Sequence, residues 1–447
     1  MIQLQRVFAT LGLAACLAFL AASACVAQSA PASTDEPGKY VEEPTKNMDA
    51  EGRPIKAPTA PATGSSINEK GLAKVLAAMP AGTRHESLMV PMRDGVKLAT
   101  EIFLPPTGEG PWPTVLLRTQ YSRWDERGKA KMGDTPFVMV LQNVRGAYDS
   151  EGKNTYDPMD FRVDINDGYD TIEWIAKQKW SNGKVGMWGP SGHGIAPINA
   201  MWSLAPHLTA IDVNVTGGNS YLYWIMSNGA RRYEYSWLAQ RGLKTSNNEW
   251  PRPTVAPYNP QQYYAFLKEI APKVKAYYRD EGGWFDIFSE SCLDNFSVLA
   301  PYGRAYVKIG PSGHGKIFGD LDFKPRNQMP AEAMRLSDAM GLKARLTDAP
   351  LTEPKSLLVY FLMGDGKDPA APGNVWMTST KWPVDHTPTS YYLQADGSLS
   401  AEPPKDKSSL SYDYDPRNPV PMIGGHHKVS DPKKPNIGPM DQRPNAG

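Results

Sequence analysis

The stretch VPMRDGVKLATEIFLP (90–105) alternates apolar and polar positions on either side of an Asp94-Gly95 turn, and this period-two spacing predicts a β-hairpin. Thr114 to Leu117 and Phe137 to Leu141 are instead short continuous apolar runs, the pattern of parallel strands buried on both faces. From Asp167 the sequence DGYDTIEWIAKQ places acids in a first turn and apolar residues at 172, 175 and 176, which predicts a helix. Val185 to Trp188 reads as one more short strand. Strands alternating with helices imply a parallel α/β sheet.

Two later segments break this rhythm. Residues 216–284 hold fourteen aromatic side chains in 69 positions, against 10% for the whole chain. They include the stretches GNSYLYWIMSNGARRYEYSWLAQRG and PQQYYAFLKEIAPKVKAYY, which read as helical. Two readings stand: a cap over a pocket for something apolar, or a segment whose aromatics only fill a core. From about residue 350, SLLVYFLMG, PTSYYLQADGSLS and SLSYDYDPRNPVPMIGG read as short strands between turns, an all-β domain.

The first residues behave differently again. Arg6 is the single charge before Asp35, and between them runs the apolar, small-residue stretch Val7 to Ala27. Residues 1–27 therefore read as a secretory signal peptide, with a retained anchor as the rival. Cys25 after Ala22-Ser23-Ala24 fits a lipoprotein acceptor, and an ordinary signal-peptidase cut before Gln28 fits equally. Either cut leaves Cys292 as the one cysteine of the folded body, so no internal disulfide is expected, and the mature protein is expected outside the cytoplasm, free or lipid-tethered. Residues 28–66 lack a hydrophobic period and are rich in Pro, Ala, Ser and Thr, which predicts a flexible tether.

The 447 residues suit two or three domains. Forty-eight basic and 47 acidic side chains leave a formal charge of +1, which removes the electrostatic case for a nucleic-acid partner. No Cys/His cluster supports zinc. Asp164, Asp167 and Asp170 fail the calcium-loop pattern because Gly168 occupies the fifth position; they read as helix-start acids. No cofactor is expected.

One motif carries chemistry. Gly189-Pro-Ser-Gly-His-Gly194 follows the strand VGMW and precedes IAPINAMWSLA. A serine between glycines at a strand-to-helix turn is what a nucleophile elbow requires. The helix behind it supplies a positive field and a backbone N–H for an oxyanion. The last glycine stands three residues after Ser191 rather than two. A serine nucleophile needs a base and the base an orienting acid, in the chain order Ser, Asp or Glu, His for this fold. Of seven histidines, His85 precedes the serine, His193 and His207 follow it too closely, and His386, His426 and His427 lie in the β domain. His314, in Gly310-Pro-Ser-Gly-His-Gly315 after the strand AYVKI, lies where open α/β sheets place catalytic groups. Asp286 in GGWFDIF is the matching acid; capping the helix ESCLDNF is its structural alternative.

With these residues in place the sequence resembles the cocaine-esterase-type (CocE/NonD) hydrolases, relatives of X-Pro dipeptidyl-peptidases, glutaryl acylases and α-amino-acid ester hydrolases. The matching segments are VPMRDGVKLATEIFLP, RTQYSR, QNVRGAYDSEG, DGYDTIEWIAKQKWSNGKVGMWGPSGHG, GGWFDIF, KIGPSGHGK and YYLQADGSLS…DYDPRNPVP…GPMDQR, spanning about residues 88 to 443. The resemblance implies an α/β-hydrolase sheet with a helical cap insertion, followed by a β jelly roll. The domains would be an α/β-hydrolase core over 67–215 and 285–345, a cap over 216–284, and a partial jelly roll over 350–447. It also implies Ser191 as nucleophile, Asp286 as acid, His314 as base, and Tyr121 with the Gly192 N–H as oxyanion donors.

Three features depart from the family pattern. The usual Ser-Tyr-x-Gly is Ser191-Gly-His-Gly194 here, and His193 either binds substrate or fills the tyrosine's space. The stretch KVKAYYRDE is more charged than a central strand should be. Against the family pattern the jelly roll is expected to be incomplete, which would leave strand edges that invite association into oligomers. Ile287 and Phe288 stand where amino-acid ester hydrolases have acids for a substrate ammonium, so that specificity is not expected. The function expected is an exported serine hydrolase of small-molecule or peptide esters or amides, acting through an acyl-enzyme. The rivals are an X-Pro dipeptidyl-peptidase and a non-catalytic binding protein.

Overall fold

The computed structural model describes residues 68–125, 127–152, 161–219, 222–223, 226–227, 230–231, 260–315, 319–321, 323–351 and 355–441, apart from 366–367, 369, 371, 410, 412, 414, 418–423 and 426–437. The export signal, Cys25, the tether and most of the cap segment lie outside them. The strands are β1 (Arg84–Pro91), β2 (Lys97–Leu104), β3 (Trp112–Thr119), β4 (Val138–Asn143), β5 (Ser181–Pro190), β6 (Leu208–Asn214), β7 (Met226–Ser227), β8 (Ala230–Arg231), β9 (Tyr277–Gly283), β10 (Ala305–Gly310), β11 (Leu357–Leu362), β12 (Val375–Ser379), β13 (Tyr392–Leu393) and β14 (Leu399–Ser400). The helices are α1 (Glu69–Ala78), α2 (Phe161–Ala176), α3 (Ile195–Trp202), α4 (Pro260–Ile270), α5 (Ser289–Leu299), α6 (Ala331–Met340) and α7 (Leu342–Leu346).

Ten strands form one sheet in the order β1-β2-β4-β3-β5-β6-β9-β10-β11-β12. The hairpin β1–β2 turns at Gly95, whose φ of +86° suits glycine. Pairing is antiparallel at β1–β2, β2–β4 and β11–β12, and parallel from β4 through β11. The continuous apolar runs are buried on both sides, as period-two geometry requires. In β4, Val138 and Val140 enter the cluster under α2, α3, α4 and α5, while Met139 and Leu141 face α1 and α7. Truncating Leu116, fully buried in the first cluster, would cost about 2–5 kcal/mol.

The order reverses between β3 and β5: the chain runs from β3 outward to β4, then returns to β5 on the other side. A crevice opens at such a switch point beyond the carboxyl ends of the strands.

Four expectations change. The helix predicted from Asp167 begins at Phe161, because Ile165 extends its buried face toward the amino end. Within the segment read as the helical cap, Met226–Ser227 and Ala230–Arg231 pair as a short hairpin. In the same segment, Tyr277–Gly283 is a central strand. Its charges are matched from neighbouring strands: Arg279 pairs with Asp212 of β6 and with Glu281, and Lys308 of β10 pairs with Glu281. Finally, SLLVYFLMG, expected in the β domain, supplies β11, which pairs in parallel with β10; β12 then closes the edge. Beyond residue 380 the described residues contain the pair β13–β14 and a Gly425–Gly438 bridge; they do not make up a jelly roll.

Candidate active site

Ser191 follows β5 directly with a φ of +53°, a left-handed conformation that costs a non-glycine residue energy and pushes its side chain out of the turn. Residues 191–194 form a single 3-10 turn leading into α3. The flanking glycines are steric necessities. A Cβ on Gly189 would lie 2.2 Å from the His193 carbonyl oxygen, and one on Gly194 would lie 2.5 Å from Thr216 Cγ2. The extra residue before the last glycine is taken up by the 3-10 turn.

His314 and Asp286 arrive from the ends of β10 and β9. Their loops are zipped together: the Trp284 N–H donates to Gly310 O at 2.9 Å and the Phe285 N–H to Ser312 O at 3.0 Å. This approach needs Gly283, where a Cβ would lie 2.1 Å from Ser312 O. The three predicted side chains converge. Ser191 Oγ lies 2.8 Å from His314 Nε2, and His314 Nδ1 lies 3.0 Å from Asp286 Oδ1. These distances suit Nδ1–H donating to the carboxylate and the serine hydroxyl donating to Nε2. Asp286 is buried, and the same Oδ1 also accepts the Phe288 N–H at 3.4 Å. It thus supports the entry to α5 and holds the imidazole at once. Phe288 flanks the imidazole, ring centroids 6.0 Å apart.

Tyr121 and Gly192 also meet. A Cβ on Gly192 would lie 2.5 Å from the Tyr121 hydroxyl oxygen and 2.8 Å from Gln120 Nε2. Burial pushes the Tyr121 phenol up, and a hydrogen bond from Gln120 acts against that. The loop carrying Tyr121 is held by Asn143 at the end of β4, whose Nδ2 donates to Thr119 O and Tyr121 O at 3.1 and 2.6 Å. Asn143 in turn accepts from Arg123, whose guanidinium meets the buried Glu101 carboxylate at 2.9 and 2.7 Å. The segments RTQYSR and QNVRG contained these supports, but a polar residue at a strand end does not announce its partner.

Tyr121 and Gln120 stand against Gly192, and His193 follows in the same turn. Its ring packs on Tyr121, centroids 4.8 Å apart, with the Asp125 carboxylate 3.8 Å from Nε2. Burial pushes its pKa down, against the pull of Asp125. Behind the site, Asp280 on β9 is fully buried and accepts from the Tyr278 hydroxyl at 2.6 Å. Burial above all, with the Asp286 charge adding to it, pushes its pKa up to about 6. The acids Asp164, Asp167 and Asp170 turn to three separate arginines, Arg118, Arg145 and Arg93, at 3.0, 2.7 and 2.8 Å, and so do not converge on a cation.

The chain is similar to known hydrolases. The profile of the X-Pro dipeptidyl-peptidase (S15) family matches residues 94–316. Cocaine esterase of Rhodococcus sp. (strain MB1 Bresler) is 27% identical over 430 residues, covering 80% of this chain and 71% of that protein. Among solved structures, an α-amino acid ester hydrolase superposes with a TM-score of 0.57 at 22% identity, over 82% of this chain and 70% of that one, a likeness of fold. An aminopeptidase from the marine sediment archaeon Thaumarchaeota archaeon superposes with a TM-score of 0.52 at 25% identity, over 76% and 66% of the two chains. With its α/β-hydrolase sheet, the chain is a serine hydrolase similar to the S15 peptidases and to cocaine esterase.

Proposed function

We propose that the protein cleaves ester or amide bonds through an acyl-enzyme on Ser191. His314 Nε2 takes the proton from Ser191 Oγ as that oxygen attacks the substrate carbonyl, and Asp286 steadies the resulting imidazolium. The Tyr121 hydroxyl and the Gly192 N–H bind the oxyanion of the tetrahedral intermediate. The imidazolium gives its proton to the leaving alcohol or amine as the carbon–heteroatom bond breaks. Water then enters with the same base, and the acyl group leaves as a carboxylic acid. The observation that carries this reading is the unbroken relay Ser191–His314–Asp286 at 2.8 and 3.0 Å. The relatives' names span both bond types, an esterase and an X-Pro peptidase.

A fluorophosphonate probe is expected to label Ser191 in the full chain and to fail with Ser191→Ala. His314→Ala should slow acylation on the order of 10⁴-fold or more with folding retained. A folded protein that takes up no label would refute the reading. Comparing Ala-Pro-anilide with simple acyl esters then separates dipeptidyl-peptidase from esterase. We also assign residues 1–27 as an export signal; in a lipid-tethered form the cut would instead precede Cys25, and an uncleaved chain recovered from the cytoplasm would refute both.

A further inference from the structure

Tyr121 presents its hydroxyl from a loop, not from the sheet. β3 ends at Thr119, which stands opposite Asn143, the last residue of β4, in the parallel ladder. Beyond this pair the chain leaves the sheet, and side chains replace the ladder. The Tyr121 N–H donates to Thr119 Oγ1 at 3.0 Å, and Tyr121 O accepts from Asn143 Nδ2 at 2.6 Å. Both supporting side chains are fully buried. The same Nδ2 donates to Thr119 O at 3.1 Å, while Asn143 Oδ1 accepts from Arg123 Nη1 at 3.0 Å. A guanidinium only donates, so the amide of Asn143 has one orientation, its nitrogen toward the two carbonyls. Arg123 is itself anchored on Glu101 and Asp149, at 2.7 and 2.9 Å.

We propose that Thr119 and Asn143 are positioning residues that aim the Tyr121 hydroxyl at the substrate oxyanion by holding both peptide groups of residue 121. The inference rests on the oxyanion role given above to Tyr121. The Gly192 N–H is placed by the turn at the nucleophile, but the phenol hydroxyl stands at the far end of a long side chain. A small rotation of the peptide groups of Tyr121 therefore becomes a larger displacement at its oxygen. The space there is tight. The hydroxyl oxygen lies 2.5 Å from where a Cβ on Gly192 would be, and the ring packs on His193 with centroids 4.8 Å apart. A group misplaced by about 1 Å can lose roughly 10²-fold in rate, and donors fixed before the reaction stabilise developing charge without reorganising.

The test measures kcat and KM on an aryl ester, and the rate of fluorophosphonate labelling, for Thr119→Val, Thr119→Ser, Asn143→Leu, Tyr121→Phe and the Thr119→Val/Tyr121→Phe double variant. Thr119→Val removes the acceptor at nearly constant shape and suits a strand, so it decides the matter even if Asn143→Leu fails to fold; Thr119→Ser keeps the hydroxyl. Thr119→Val and Asn143→Leu are expected to lower kcat about 5–50-fold with KM within about threefold, while Thr119→Ser stays within about twofold of the parent. Added to Tyr121→Phe, Thr119→Val should cost less than about twofold more, because the hydroxyl it aims is already gone. The positioning role is overturned if Thr119→Val keeps kcat within about twofold of the parent, if Thr119→Ser loses as much as Thr119→Val, or if the losses of Thr119→Val and Tyr121→Phe multiply. Failure of the underlying reading looks different: Tyr121→Phe alone would then leave kcat unchanged, or the parent would take no label at Ser191.

Discussion

Replacing Asp280 by asparagine isolates a buried charge that the relay does not use. Asp280 is fully buried on β9, and its pKa lies at about 6 rather than at the ordinary 3.8, chiefly through burial, with Asp286 adding repulsion. A carboxyl raised in the folded state favours folding in its neutral form. Its contribution is therefore intact below about pH 4 and is lost as pH rises through 6. At roughly 1.4 kcal/mol per pH unit, the displacement amounts to about 3 kcal/mol above pH 7. Near pH 4.5 the same relation gives a loss of about 1 kcal/mol. The substituted carboxamide would be neutral throughout and would still accept the Tyr278 hydroxyl, which sits 2.6 Å from the aspartate.

Urea unfolding of both proteins at pH 4.5 and pH 8 checks this. The stability difference, Asp280→Asn minus parent, is expected to grow by about 2 kcal/mol between the two conditions. Asp167 and Asp294 are also raised by burial; they are common to both proteins and cancel in the difference. If the two stability curves run parallel from pH 4.5 to 8, the aspartate ionises as freely in the fold as in the unfolded chain, and the reasoning is wrong.

Further outcomes follow from the strain at the elbow and from the buried ion pairs. Ser191→Gly and Ser191→Ala should both be inactive, but the glycine variant should unfold about 1 kcal/mol harder because φ +53° costs it nothing; equal denaturation midpoints would remove strain from the account. Arg118→Met leaves Asp164 buried without its guanidinium, at an expected cost of about 3–5 kcal/mol in unfolding free energy, whereas Lys381→Ala, whose partner Asp385 is exposed, should change it by less than about 1 kcal/mol.

The relay residues were legible because their signals are local. Ser191 sits in a glycine turn between an apolar strand and a helix, and His314 and Asp286 each follow an apolar or glycine-rich strand end in the required chain order. What the sequence concealed depends on partners far along the chain. The charges of β9 look wrong for a central strand until Asp212 and Lys308 come alongside Arg279 and Glu281. β11 carries nothing that says which sheet it joins; only its register with β10 does. The aromatic stretch after residue 218 has helix-like spacing, but the tight pairing of Ser227 with Ala230 turns the chain there.

The placement of buried charge explains why Asp286 suits an imidazole. Glu101, Asp164 and Asp167 each face an arginine at 2.7–3.0 Å, so their charges are already balanced in the resting protein. Asp286 is as deeply buried, yet among the described residues its one ion-pair partner is His314, and its Oδ2 has no hydrogen-bond partner. A neutral imidazole leaves that carboxylate uncompensated, a costly state in a poorly polarisable interior. Under the proposed mechanism, transfer of the Ser191 proton to His314 would create the missing positive charge at a nitrogen 3.0 Å from Oδ1. The charge separation that attack on a carbonyl requires is thus one for which the fold holds a counter-charge in advance, and an arginine placed beside Asp286 would cancel that advantage before any substrate bound.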